Sequence, residues 1–401
     1  MDNLLPARPC HVVDSRVHGL STGVAFARCN GYDSGVLSAA LDRVLAPLGG
    51  MTAFVRSGCR VLVKPNLLTD RPPEAAVTTH PELVRQVIRR LKAAGAVVVV
   101  ADSPAFVTQV EQVWRVTGMQ AVCAEEGVPL LCMEAAPLTT LSHDGYTFSV
   151  SNLALNADLI VNLPKVKSHS LTVLTAAVKN FYGVIPGHLK TELHKTHARP
   201  ERFGGLVRAI CRAMPASLTI ADGVLAMEGD GPSSGTPVPL NFLAASADPF
   251  ALDLALCDVL RIDPAQVPYL VGLSHTPDYT ARVRYGECPD VARFRLPRNT
   301  SRLVLNLLPD WLVRRIGKLI WFRPAFGSAC VRCGKCVTAC PVHAIALRPR
   351  GVPILNGPAC IGCCCCHEVC PAHVITIRPS PVVRLERRVA RAFATPTQDD
   401  A

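Results

Sequence analysis

The sequence predicts an α/β fold: a mostly parallel sheet with flanking helices, plus a small C-terminal α+β ferredoxin-type iron–sulfur domain. Three observations carry this. Short β-branched runs alternate with longer stretches of helical periodicity over the first 260 residues. Some runs, such as AVVVVA at 96–101, are apolar without alternation, as in strands covered on both faces. Ten of the 18 cysteines crowd between Cys330 and Cys370.

The elements follow in order. Residues 23–29 read as a strand and 34–48 as a helix. RVLVK at 60–64 is a strand. The helix expected over 81–94 carries Leu83, Val84, Val87, Ile88 and Leu91 at helical spacing, and Gly95 ends it. Strands follow at 96–101, 158–161 (DLIV) and 218–221 (LTIA), with helical segments over 171–181 and 203–214. Residues 262–298 are irregular and proline-broken. The expected division is an α/β domain over 1–298, an amphipathic linker helix over 299–328, a cysteine module over 329–378 and a basic tail over 379–401.

Composition narrows the function. A 49% hydrophobic share excludes wholesale disorder. The formal charge is +11, yet only nine of the 42 basic residues are lysines, and no Lys/Arg run reaches five residues. That supports acidic partners or substrates and gives no support for nucleic acid. Asp14, Arg16 and His18 interrupt the start of the chain, so no export signal is expected, and no stretch is long and apolar enough for a membrane span. Bunched cysteines in such a chain suit a reducing cytoplasm and not a disulfide scaffold.

Cys330, Cys333, Cys336 and Cys340 form C-x2-C-x2-C-x3-C before Pro341. Cys360, Cys363, Cys366 and Cys370 repeat it before Pro371, each ligand offset by 30 residues. Three thiolates spaced by two residues wrap one face of an iron–sulfur cube. In proteins with this run, the fourth ligand comes from the other repeat. The expected sets are therefore Cys330, Cys333, Cys336 and Cys370 for one 4Fe-4S cluster, and Cys360, Cys363, Cys366 and Cys340 for a second. Structural zinc sites use paired C-x2-C knuckles, which a twice-repeated triple run ending in Cys-Pro does not match. Cys364 and Cys365 make the second repeat read CCCC. They are taken as small residues where glycine is common, with a redox role as the alternative.

The carboxyl ends of the predicted strands are polar. Lys64 and Asn66 follow the second strand, and Asp102 the third. Lys165, Lys167 and His169 follow DLIV, and Asp222 and Glu228 follow LTIA. In a parallel sheet these ends share one edge, where ligands bind. Four lysines, Lys165, Lys167, Lys179 and Lys190, fall within 26 residues, with His194 close behind. Lysine suits phosphate or carboxylate, or proton transfer once desolvated. A basic exposed loop is the plain alternative. His188, His194, His197 and Glu192 offer metal donors, though without an H-E-x-x-H pattern. The Gly/Ser/Pro loop at 229–237 is neither a P-loop nor a dinucleotide fingerprint. The stretch 311–322, from Trp311 to Phe322, is basic and amphipathic. Packing between domains is favoured over peripheral membrane contact.

The stretches VLVKPNLL (61–68), THPELVRQVIRRLKAAG (79–95), VADSP (100–104), NLPKVKSHSLTVLTAAVKNFYG (162–183) and ADGVLAMEGDGPSSG (221–235) resemble domain-of-unknown-function family 362 over about residues 22–260. Many members of that family carry a C-terminal ferredoxin module. The resemblance implies an iron–sulfur protein with a redox role and carries no specific reaction. The CCCC run is a departure.

The expectation is an iron–sulfur electron-transfer protein with two 4Fe-4S clusters and a redox partner protein. It passes electrons to an acidic substrate or cofactor held by Lys64, Asn66, Lys165, Lys167, Lys179, Lys190 and His194. Asp102, Asp222, Glu228 and His169 are the candidate catalytic groups. The alternatives are a non-catalytic adaptor for a partner redox enzyme and a redox sensor.

Overall fold

A computed structural model describes residues 23–215, 217–280, 282–297 and 321–385. Its first strand is β1 (Val24–Arg28). Helix α1 (Ser34–Leu45) starts at Asp33, whose carboxylate accepts from the Gly35 and Val36 N–H groups at 3.0 and 3.3 Å. Strand β2 (Arg60–Pro65), helix α2 (Pro81–Ala93) and strand β3 (Val97–Asp102) form a right-sized crossover unit. Then come α3 (Val110–Val116), α4 (Met119–Glu125), β4 (Leu130–Cys132), the hairpin β5 (Leu138–His143) and β6 (Tyr146–Ser151), and α5 (Asn152–Leu155). The second half runs through β7 (Leu159–Leu163), β8 (Lys165–His169), β9 (Val173–Thr175), α6 (Ala177–Asn180), α7 (Gly187–Thr196) and α8 (Pro200–Ala213). It closes with β10 (Ser217–Glu228), β11 (Thr236–Ser246), α9 (Pro249–Leu260) and β12 (Arg284–Gly286).

The main sheet runs β12-β1-β11-β10-β7-β2-β3-β4. The block from β10 to β4 is parallel, and β11 runs antiparallel between β1 and β10. Pleating sends Val61 and Val63 to the face covered by α1, α2 and α4, and Leu62 to the face covered by α8 and α9. Both faces are therefore apolar, which explains the continuous hydrophobic runs. From β2 the chain steps outward through β3 and β4, and later returns to lay β7 on the opposite side. That reversal places a crevice at the carboxyl ends of β2 and β7.

Several expectations change. The helix expected over 171–181 is a strand followed by one helical turn. Thr172, Val173 and Thr175 are β-branched, and Val173 sits at φ 68°. Helix begins only where the distant Asp253 carboxylate accepts from the Ala177 and Val178 N–H groups at 2.7 and 3.0 Å. The strand at 218–221 lengthens to 12 residues because β11 pairs with it, so the 229–235 loop is a hairpin connection. The irregular stretch after 262 contains β12, which pairs parallel with β1.

In the cysteine module, β13 (Phe322–Phe326) pairs antiparallel with β16 (Ile375–Pro379), and β14 (Ile345–Ala346) with β15 (Ile354–Leu355). Residues 322–326 are therefore strand where the linker helix was expected, and the module begins by 322. The rest of that linker, including Trp311, and the tail beyond 385 lie outside the described residues. Among the described residues, no helix is long and apolar enough to cross a membrane.

Candidate functional site between the sheet edge and the cysteine module

Four of the edge residues close on one another. Lys64 Nζ lies 2.8 Å from Asp102 Oδ1, and Lys165 Nζ lies 2.6 Å from Asp222 Oδ2. Burial pushes both ammonium groups down in pKa, and each aspartate opposes that shift. Asp222 also accepts from the Tyr32 hydroxyl at 2.6 Å and the His80 N–H at 3.0 Å. Lys165 also donates to Tyr32 Oη and to Leu225 O. With every polar group satisfied, the Lys165–Asp222 pair fastens the edge and lies outside the cavity described next. Glu228 is also diverted. It accepts from Arg295 Nε at 2.6 Å and from the Arg295 N–H at 2.8 Å.

Asp102 and the remaining residues converge on a cavity of about 830 Å³, part of it open to solvent. Asn66, Asp102, Lys167, His169, Lys179, Lys190 and His194 line the α/β side. Lys167 is buried and pairs with no carboxylate among the described residues; it donates to Asn66 Oδ1 at 2.8 Å and Val77 O at 2.6 Å. Burial, and then the neighbouring charge of Lys179, push its pKa down to about 7. Lys190 donates to Ser103 O, and burial pushes it down to about 8. Lys179 stands over the rings of Tyr182 and Phe203, 5.3 and 5.6 Å from their centroids. His169 Nδ1 accepts from the Leu171 and Thr172 N–H groups at 2.9 and 3.3 Å, which leaves the ring proton on Nε2. Burial holds this imidazole neutral, and Nε2 faces Glu368 Oε1 at 3.4 Å.

Among the described residues three buried polar atoms in this lining make no hydrogen bond: Thr175 Oγ1, His194 Nδ1 and Glu368 Oε1, the last met only by the longer approach of His169 Nε2. Such groups are costly to bury unpaired, and three around one cavity mark the outline of a polar ligand. His194 stacks on Phe203 at 4.4 Å, and burial holds its pKa down at about 3. It does not gather with the other candidate metal donors. His188 is exposed, His197 Nδ1 lies 2.9 Å from Thr196 Oγ1, and Glu192 pairs with Lys195 at 3.5 Å. Asn180, in the same polar segment but not among the candidate site residues, accepts from Asn66 Nδ2 at 3.1 Å and donates to Asn162 Oδ1 at 2.8 Å. This relay fixes Asn66 and, through it, Lys167.

The opposite wall comes from the cysteine module: Ala339, Cys365, Glu368 and Val369. The hairpin loop between β10 and β11 holds that wall in place. Ser233 Oγ donates to Glu368 O at 2.7 Å, and His367 bridges Ile375 O (Nδ1, 2.7 Å) and Asp230 O (Nε2, 2.9 Å). Arg71 donates to Pro371 O at 2.7 Å. A Cβ at Gly231 would lie 2.1 Å from Ser168 O, so only glycine lets this loop approach β8.

Within the module, two apolar cavities of about 360 and 350 Å³ separate the cysteines. Cys340, Cys360, Cys363 and Cys366 line one, together with Cys364. Cys330, Cys333, Cys336 and Cys370 line the other. These are the two sets expected from the spacing. Four soft thiol donors around an apolar hollow fit an iron–sulfur cube. Among the described residues, no three His, Cys, Asp or Glu side chains converge on a single-ion position. The Ala344 N–H donates to Cys340 Sγ at 3.2 Å, a contact of the kind that tunes a cluster. The repeat extends to the backbone. Cys364, at φ 66°, occupies the left-handed position that Gly334 holds at φ 78° in the first repeat. Cys365 lies on the other side of this wall, in the lysine cavity.

Residues 61–258 match the family described as a domain of unknown function (DUF362), and residues 327–346 match a 4Fe-4S binding domain. The thylakoid-associated protein sll1697 of Synechocystis sp. is 36% identical over 280 residues, which is 70% of this chain and 84% of that protein. No solved structure matches the chain.

Proposed function

We propose that this chain, which belongs to the DUF362 family and carries an iron–sulfur electron-transfer module, is an oxidoreductase that reduces an acidic small molecule held against that module. The observation that carries the reading is the double-sided wall at 363–369. Cys363 and Cys366 face one cysteine cavity, and Cys365, Glu368 and Val369 face the lysine cavity. A ligand there sits one residue's thickness from a cluster site.

In this reading Cys330, Cys333, Cys336 and Cys370 hold one 4Fe-4S cluster, and Cys360, Cys363, Cys366 and Cys340 hold another. When bound, they supply electrons one at a time. The chain's own residues do the rest. Lys167, Lys179 and Lys190 bind the acidic group. Thr175 Oγ1 and His194 Nδ1 give it further hydrogen bonds. Asp102 holds Lys64 beside the cavity, and the His169 Nε2 proton is directed into it. The module wall narrows the access of water, which strengthens each of these contacts.

An adaptor would need the same sheet edge for a partner enzyme, but residues 365–369 already cover it. The free cysteines clustered at 330–370 suit a reducing compartment such as the cytoplasm. The relative's name raises attachment to a membrane surface, which fractionation tests.

The functional test is anaerobic purification with mass spectrometry of whatever small molecule co-purifies. That molecule is then mixed with dithionite-reduced protein. Cluster absorbance should return in the wild type and not in Lys167→Met. Return at the same rate in both would overturn the proposal.

A further inference from the structure

The two cysteine cavities share one pattern and differ in surroundings. One set is buried at Cys340, Cys363 and Cys366 and half-buried at Cys360; the other is buried at Cys336 and Cys370, but its Cys330 is half-buried and its Cys333 exposed. Around it stand Val331 at 64% and Leu347 at 43% exposure, an apolar centre on the open face. Arg332 sits between Val331 and Cys333, Arg348 and Arg350 follow Leu347 in the facing loop, and all three are exposed. Arg332 Nη2 donates to Arg348 O at 2.6 Å, which ties the two loops together. The sequence holds no Asp or Glu between Asp310 and Glu368, so the module supplies no acid of its own to neutralise these charges. The nearby Lys335 does have an acidic neighbour, Asp70, at 3.9 Å.

We propose that this face docks an acidic one-electron carrier protein, making it the side on which the module exchanges electrons with its partner. The inference rests on the cluster assignment above and extends it to the partner. An apolar centre flanked by guanidinium groups is the complement of an acidic rim around a carrier's own redox centre. Such a contact is steered by long-range attraction and need only be small and transient. In the step itself the carrier loses one electron and the module gains one, with no proton or further reactant.

The test uses the anaerobically purified full-length holoprotein and the triple variant Arg332→Glu, Arg348→Glu, Arg350→Glu, matched for iron and sulfide content. The probes are a reduced acidic two-iron ferredoxin and the methyl viologen radical cation. Complex formation with the ferredoxin is followed by analytical gel filtration at low ionic strength. Cluster reduction is followed by stopped-flow absorbance. The wild type should co-elute with the ferredoxin, and its reduction rate should fall as salt rises. The variant should not co-elute, and ferredoxin should reduce it roughly tenfold or more slowly. Reduction by methyl viologen should not slow. A ferredoxin rate unchanged by salt and by charge reversal overturns the docking face alone. So does equal slowing with both probes. Wild-type protein without iron and sulfide overturns the cluster assignment as well.

Discussion

Two groups of lysines stand at the same sheet edge, Lys64, Lys165 and Lys167 buried and Lys179 and Lys190 half-buried, and are treated in opposite ways. Lys64 and Lys165 each meet an aspartate within hydrogen-bonding distance. Lys167, Lys179 and Lys190 meet carbonyls, an amide and aromatic faces, and none of them makes an ion pair with the described residues of the α/β domain. A buried cation with its own carboxylate stabilises the fold only in company, and its loss of that partner is expensive. A buried cation without one is held at a cost that a bound anion offsets. The difference separates residues that build the edge from residues that serve it.

The largest expected effect breaks the first group. Asp222→Asn strands Lys165 and should cost about 3–5 kcal/mol of stability, read from denaturant unfolding. A loss under about 1 kcal/mol would remove the distinction. The second group should answer differently. Lys167→Met should leave the unfolding midpoint unchanged or raised, while the co-purifying anion binds roughly tenfold or more weakly, about 1.4 kcal/mol.

A smaller effect sharpens the contrast through pH. Lys167, pushed down to about 7, and Lys190, down to about 8, should lose their protons as pH rises through this range, so anion affinity should fall. Stability should move the other way. The unfolded chain keeps the Lys167 proton up to the ordinary value of 10.5, so it binds more protons than the folded chain above about 7, and folding gains as pH climbs. Calorimetric titration of the anion and thermal unfolding across pH 6–10 would read both slopes, and parallel slopes would contradict the assignment.

The smallest effect concerns the two repeats. Cys364→Gly removes a side chain from a left-handed position and should add roughly 1 kcal/mol of stability, with iron content unchanged. Loss of iron would instead make Cys364 a ligand.

The grouping of the cysteines around two hollows was legible because it depends on local spacing and on one rule about the fourth thiolate. The convergence at the sheet edge was legible because parallel strands put their carboxyl ends together. Which lysines are paired was not, because Asp222 reaches Lys165 across 57 residues and Arg295 reaches Glu228 across 67. The part played by Cys365 and Glu368 was hidden for the same reason. It depends on how the hairpin loop at Gly231 and Ser233 carries the module onto the edge. The misread helix at 171–181 shows apolar spacing overruled by β-branched residues and by a cap supplied from α9.

The most direct test of the central claim, that a cluster adjoins the lysine cavity, is an EPR-monitored redox titration of anaerobically purified protein beside its Lys179→Met variant. The account predicts about eight iron and eight sulfide per chain and two one-electron transitions. Only one of these should move, to lower potential, when the nearby positive charge is removed. Zinc in place of iron, or two transitions that both stay where they were, would contradict it.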